Sequence, residues 1–93
     1  MYGLIVKQPF ADKLVDGSKV REYRSTALPR HLINEKVFIL NKGNILGTVR
    51  FVFDKKSNNG HIWVCSKAEK FASPLKYKHK NGCIIWIKDV EII

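Results

Sequence analysis

Apolar residues in this chain fall into short runs separated by clusters of Gly, Asn, Asp, Ser and Pro. That punctuation suits a small protein built mainly of strands. "MYGLIV" reads as a first strand. "QPFADKLVDG" reads as a short helix, with Pro9 at its first position, Phe10/Leu14 and Ala11/Val15 spaced four apart, and Gly17 as a left-handed cap. "KVREYRS" is a strand, and "TALPRHLINE" a turn with one helical turn after Pro29. "KVFILN" is a buried strand, closed by the turn "NKGN". "ILGTVRFVFD" alternates, so Ile45, Val49, Phe51 and Phe53 are expected on one face and Thr48, Arg50 and Asp54 on the other. "KKSNNG" is a hairpin turn and "HIWVCS" the returning strand. "KAEKFASPLKYKHKNG" is polar and Lys-rich, a helical turn at most before Pro74, and "CIIWIKDVEII" closes the chain as a long apolar strand. About six strands and one short helix after the first strand predict an α+β fold. Its core is a small mixed, mostly antiparallel β-barrel, partly closed, with the helix over one opening.

At 93 residues, 1–93 is one domain, with 45% hydrophobic residues to build a core. No run of about 18 apolar residues occurs, so no membrane span is expected, and "MYGLIVKQPF" lacks the basic start and cleavage site of a signal peptide. Cys65 and Cys83 lie in apolar runs without metal-ligand spacing, as reduced thiols of a cytoplasmic protein would. His31, His61 and His79 have no metal spacing and no carboxylate at a useful interval, so no metal and no cofactor is expected.

Charge changes the picture most. Seventeen Lys and Arg against eight Asp and Glu give +9. The excess is spread evenly: nine basic and four acidic residues in 1–50, eight and four in 51–93. Any attraction for a polyanion must therefore come from a patch assembled by folding. Such a balance is the electrostatic footprint of a nucleic-acid binder, with general basicity for solubility as the plain alternative and a basic surface for an acidic protein as a third reading.

Three stretches carry candidate chemistry. In "GSKVREYRS", strand alternation puts Val20, Glu22 and Arg24 on one face and Arg21, Tyr23 and Ser25 on the other, with Lys19 at the junction. Glu22 and Arg24 form either an exposed ion pair worth little or a recognition pair: a carboxylate that accepts from a base amine beside a guanidinium fork for phosphate or a base edge. In "VKQPFA", Lys7 precedes the helix start, where free backbone N–H groups can hold an anion. In "KYKHK", Lys76, Lys78 and Lys80 alternate with Tyr77 and His79, a pattern that fits either a solvated loop or a phosphate-tracking, base-stacking surface. Trp63 and Trp86 read as core. No nucleophile triad and no Gly-rich phosphate loop is present, so catalysis would fall to a Lys and a Glu, Lys19 and Glu22.

Taken together these stretches resemble the ASCH domain family of the PUA-like superfamily. The resemblance rests on Lys7, Pro9 and Phe10 at the helix entry and on Gly-x-Lys-x-x-Glu-x-Arg at Gly17, Lys19, Glu22 and Arg24. It weakens through "KVFIL", "ILGTVRF" and the Trp-containing last run. It implies a PUA-like β-barrel whose cleft, lined by that Lys, Glu and Arg, binds RNA or a nucleotide or nucleoside. Nucleic-acid contacts are then expected from Lys7, Lys19, Glu22, Arg24, Tyr77 and Lys78, in a monomer. Some short members are amidohydrolases that remove the acetyl group of N4-acetylcytidine with a Lys, a Thr and a Glu, and ribonuclease activity has been described in the family. Lys19 matches the catalytic Lys, but Glu22 stands where those enzymes have Thr, and Glu69 is the candidate for the third residue.

Overall fold

The computed structural model describes every residue from Met1 to Ile93. Strands β1 (Gly3–Ile5), β2 (Arg21–Arg24), β3 (Lys36–Asn41), β4 (Asn44–Ser57), β5 (Gly60–Lys76) and β6 (Trp86–Ile87) form one sheet in the order β2-β5-β4-β3-β1-β6. Only β1 and β3 run parallel; the other neighbours are antiparallel. The single α-helix, α1 (Phe10–Val15), follows β1, and one 3₁₀ turn, Arg30–Leu32, follows Pro29. The protein is thus mostly β. No helix is long and apolar enough to cross a membrane.

The sheet does not close into the expected barrel, because β2 and β6 remain its two edges. It curls instead until the two ends meet through side chains. Trp63 of β5 stacks on Trp86 of β6, centroids 5.8 Å apart and planes 19° apart. Arg24 of β2 donates to the Ile5 carbonyl of β1 at 3.2 Å. Closure would need a ladder of backbone bonds at that seam.

Helix α1 buries Ala11, Leu14 and Val15 but leaves Phe10 half exposed, so the expected Phe10–Leu14 pair does not face the core. Pro9 is the residue before the helix, not its first. Gly17, at φ +83°, is the left-handed stop that the sequence suggested.

β4 departs from simple alternation. Phe51 lies opposite Cys65 but Phe53 lies opposite Val64, so one extra residue is inserted on β4. Such a bulge swaps the faces beyond it. Phe51 is therefore buried and Phe53 57% exposed, contrary to the alternation, while Asp54 turns inward. A second slip, between Ile45 and Gly47, puts Leu46, Val49 and Phe51 in the main core with Leu4, Leu14, Ile39 and Trp63. Ile45 joins a smaller cluster with Leu40, Tyr77 and Ile87. A Cβ on Gly47 would fall against the Glu69 carbonyl oxygen, inside van der Waals contact, so the slip requires glycine there.

The tail also departs from expectation. "KAEKFASPLK" is not a helical turn but the second half of β5. Lys70 lies opposite Gly47 and Leu75 opposite Ile45, so 71–74 bulge out, and Pro74 sits where its missing N–H breaks no ladder bond. The closing run is not one long strand: it pairs with the three-residue β1 through Trp86–Ile87 and then bridges from Ile92 to Tyr77 just beyond β5, with the Ile84 and Ile93 side chains exposed.

Candidate functional site

On edge strand β2, Glu22 lies opposite Trp63 and Arg24 opposite His61, so both carry their side chains over the concave face, while Tyr23 points out. Val20 precedes the strand and is exposed. Glu22 is 7% exposed and is the one charged residue among the buried set. Its Oε2 accepts from Arg24 Nε at 2.9 Å and lies 2.7 Å from Arg24 Nη2. Its Oε1 lies 3.4 Å from Lys19 Nζ, which also donates to the Arg21 carbonyl. Lys19 sits between two aromatic faces, 5.6 Å from the Phe10 centroid and 5.2 Å from that of Tyr23. Arg24 lies over the Trp63 ring at 5.6 Å. The result is a Lys–Glu–Arg triad pinned against tryptophan.

A cleft of about 450 Å³ opens beside the triad, between β2, the β1–α1 junction and the β3–β4 turn. Lys7, Glu22, Arg24, Asn41 and Lys42 supply its polar wall, and Phe10 and Tyr23 its aromatic one. An adjoining hollow of about 180 Å³ shares Phe10, Glu22 and Tyr23 and adds Lys19. Lys7, Lys19, Glu22 and Arg24 are thus brought together. Lys7 and Lys42 form no ion pair, so the cleft presents unpaired cations. Asn41 spends its amide nitrogen on the Val6 carbonyl at 2.8 Å, which keeps its oxygen for a ligand.

The other expected residues do not join this site. Helix α1 offers no ready anion site: its six residues place the Ala11 N–H on the Lys7 carbonyl and the Asp12 N–H on Gln8 Oε1, both at 3.0 Å. Tyr77 is no stacking platform, because it is 4% exposed and packed in the smaller core cluster. Its hydroxyl meets His79 Nδ1 at 3.2 Å, so the two do share a face. Burial pushes the Tyr77 phenol up. Lys78 is exposed and lines neither hollow. Glu69 is likewise outside the cleft, an exposed residue on β5, 4.0 Å from Lys36. Both cysteines are free, and burial pushes the Cys65 thiol up. No three His, Cys, Asp or Glu gather as a metal site.

Sequence reasoning passed over Asn41 and Lys42, because a turn "NKGN" looks the same wherever it lands. It also missed the partner of His61: Nδ1 lies 2.9 Å from Asp54 Oδ1, and Asp54 Oδ2 accepts the Leu28 N–H at 2.8 Å. The two-residue hairpin at Asn58–Asn59, which sets Ser57 opposite Gly60, was the available signal for that diagonal pair.

Fold and site together define a mostly β protein with one curled, mixed six-stranded sheet and a cationic cleft beside its edge strand. No protein-family model matches the sequence, and no curated protein matches it.

Proposed function

We propose that this chain is an ASCH-type, PUA-like domain that binds RNA or a nucleotide in the cleft beside β2, as a cytoplasmic monomer. The observation that supports this most is the buried Glu22 held between Lys19 and Arg24 at the wall of a cleft whose other charges, Lys7 and Lys42, are unpaired cations. Exchanging a buried ion pair for well-packed apolar groups is often neutral or stabilising, so the triad is poorly explained as a stability device. It is better explained as a way to aim a guanidinium. Glu22 and the Ile5 carbonyl take Arg24 Nε and Nη2 and leave Nη1 without a partner in the chain. That free edge, with Lys7 and Lys42, suits phosphate oxygens. Phe10 and Tyr23, both exposed, suit an unstacked base.

The test is fluorescence anisotropy with a labelled single-stranded RNA across a salt series. Affinity should fall steeply with salt, because each phosphate contact releases counterions. Arg24→Ala should weaken binding throughout and flatten the log–log slope by about one contact. Absence of affinity even at low salt would refute the reading and turn attention to an acidic protein partner.

A further inference from the structure

We infer that the concave face carries a second pocket, distinct from the cleft, that binds a phosphoryl group through His61, Lys56 and Arg30, with Asp54 as the residue that positions His61. The inference does not depend on the RNA reading.

Strand register sets which side chains meet on this face. Across β2, β5 and β4 one rung of the sheet reads Glu22–Trp63–Asp54 and the next reads Arg24–His61–Lys56. Residues on a rung share a face and are spaced by the interstrand distance of about 4.8 Å. A rung with a carboxylate at each end is thus followed by one that is basic throughout. Each carboxylate is answered from the second rung: Glu22 by Arg24, and Asp54 by His61. Lys56 is left over.

A pocket of about 270 Å³ opens at the Asp54 end, under residues 27–33, and is lined by Arg30, Asp54, Lys56 and His61 among apolar neighbours. Its charges do not cancel internally. Neither Arg30 nor Lys56 has a carboxylate partner. The one acid present is already engaged, Oδ2 by the Leu28 N–H and Oδ1 by His61. That engagement also sets the imidazole: with Nδ1 held by Asp54, Nε2 is the ring nitrogen left for a ligand. A guanidinium, an ammonium and an oriented imidazole around one small hollow match the several oxygens of a phosphoryl group. A carboxylate ligand has only two oxygens to share among three donors. Nothing in this pocket lines the cleft beside β2, so the two sites can be separated by mutation.

The experiment is NMR of uniformly ¹⁵N-labelled protein, following the His61 ring nitrogens while inorganic phosphate is added. The titration is repeated in Arg30→Ala/Lys56→Ala, whose replaced side chains are exposed in the native fold, and in Lys78→Ala, which removes an exposed charge that lines neither the cleft nor this pocket. Phosphate should shift the His61 Nε2 signal saturably, and the double variant should weaken that binding at least about tenfold. Lys78→Ala should leave it unchanged. A short single-stranded RNA then identifies the source of the phosphoryl group. Displacement of phosphate from His61 by RNA would assign the pocket to a backbone phosphate of a bound strand. RNA binding that leaves the His61 signal untouched would assign it to a free phosphate or small phosphate ester. An unmoved His61 signal in both titrations, or phosphate binding that survives in the double variant, overturns the proposal whether or not RNA binds at Arg24.

Discussion

Arg24 is where the structure can be pressed hardest. Arg24→Met removes both contacts to Glu22 Oε2 and the bond to the Ile5 carbonyl. Breaking a fully buried pair by deleting one partner costs about 3–5 kcal/mol, since a charge is left uncompensated. Two features reduce that here: the Arg24 side chain is 20% exposed, and Glu22 keeps Lys19 at 3.4 Å. A loss of about 2 kcal/mol is the expectation, or about 10 °C in Tm for a domain of this size. Glu22→Leu/Arg24→Met removes the stranded charge as well, and should return to within about 1 kcal/mol of the native protein. Thermal and urea unfolding followed by circular dichroism measure all three proteins, and the anisotropy titration reports RNA binding. The expected pattern is a destabilised single variant and a restored double variant, neither with native RNA affinity. A double variant as unstable as Arg24→Met, or more so, would show that the triad is a structural clasp. A stable double variant with native affinity would remove Arg24 from the site.

Three further outcomes are expected. Gly47→Ala forces a Cβ against the Glu69 backbone carbonyl, so β4 and β5 must shift, at a cost of about 3 kcal/mol in urea unfolding; a change under about 0.5 kcal/mol would refute the need for glycine at this slip. Desolvation raises the Tyr77 phenol above its usual value of 10.0, so the native state favours the neutral form; the stability this group contributes is complete below that value and lost as pH climbs through the raised one. Absorbance titration should show one late-ionising tyrosine that is missing in Tyr77→Phe, and its persistence there would refute the assignment. Lys19 Nζ already donates to the Arg21 carbonyl and lies beside Glu22, and a carboxylate at 22 opposes a developing oxyanion, so incubation with N4-acetylcytidine should release no cytidine; turnover abolished by Lys19→Ala would make this site catalytic.

What the sequence determined by itself is what short-range physics controls. The helix after β1 is legible because Ala11, Leu14 and Val15 repeat at helical spacing and Gly17 alone supplies a left-handed stop cheaply. The turns at Asn41–Asn44 and Ser57–Gly60 and the one turn after Pro29 are legible for the same reason: a few neighbouring residues decide them. Glu22 and Arg24 on one face also follows from alternation within a single strand. Everything that depends on a partner far along the chain was decided only by tertiary structure. Phe53 faces out and Asp54 in because a bulge opposite Val64 reverses the pleat, and no local signal records an inserted residue. Pro74 lies in a strand because its stretch of β5 bulges away from the ladder. The closing run breaks into a two-residue strand on the short β1 and a separate bridge from Ile92 to Tyr77, and the sheet stays open because no backbone ladder joins β2 to β6. The cleft itself joins β1, α1, β2 and the β3–β4 turn, so Asn41 and Lys42 become neighbours of Arg24 only when the sheet curls. A charge count of +9 could announce a basic surface, but only the fold decides where those charges stand unpaired.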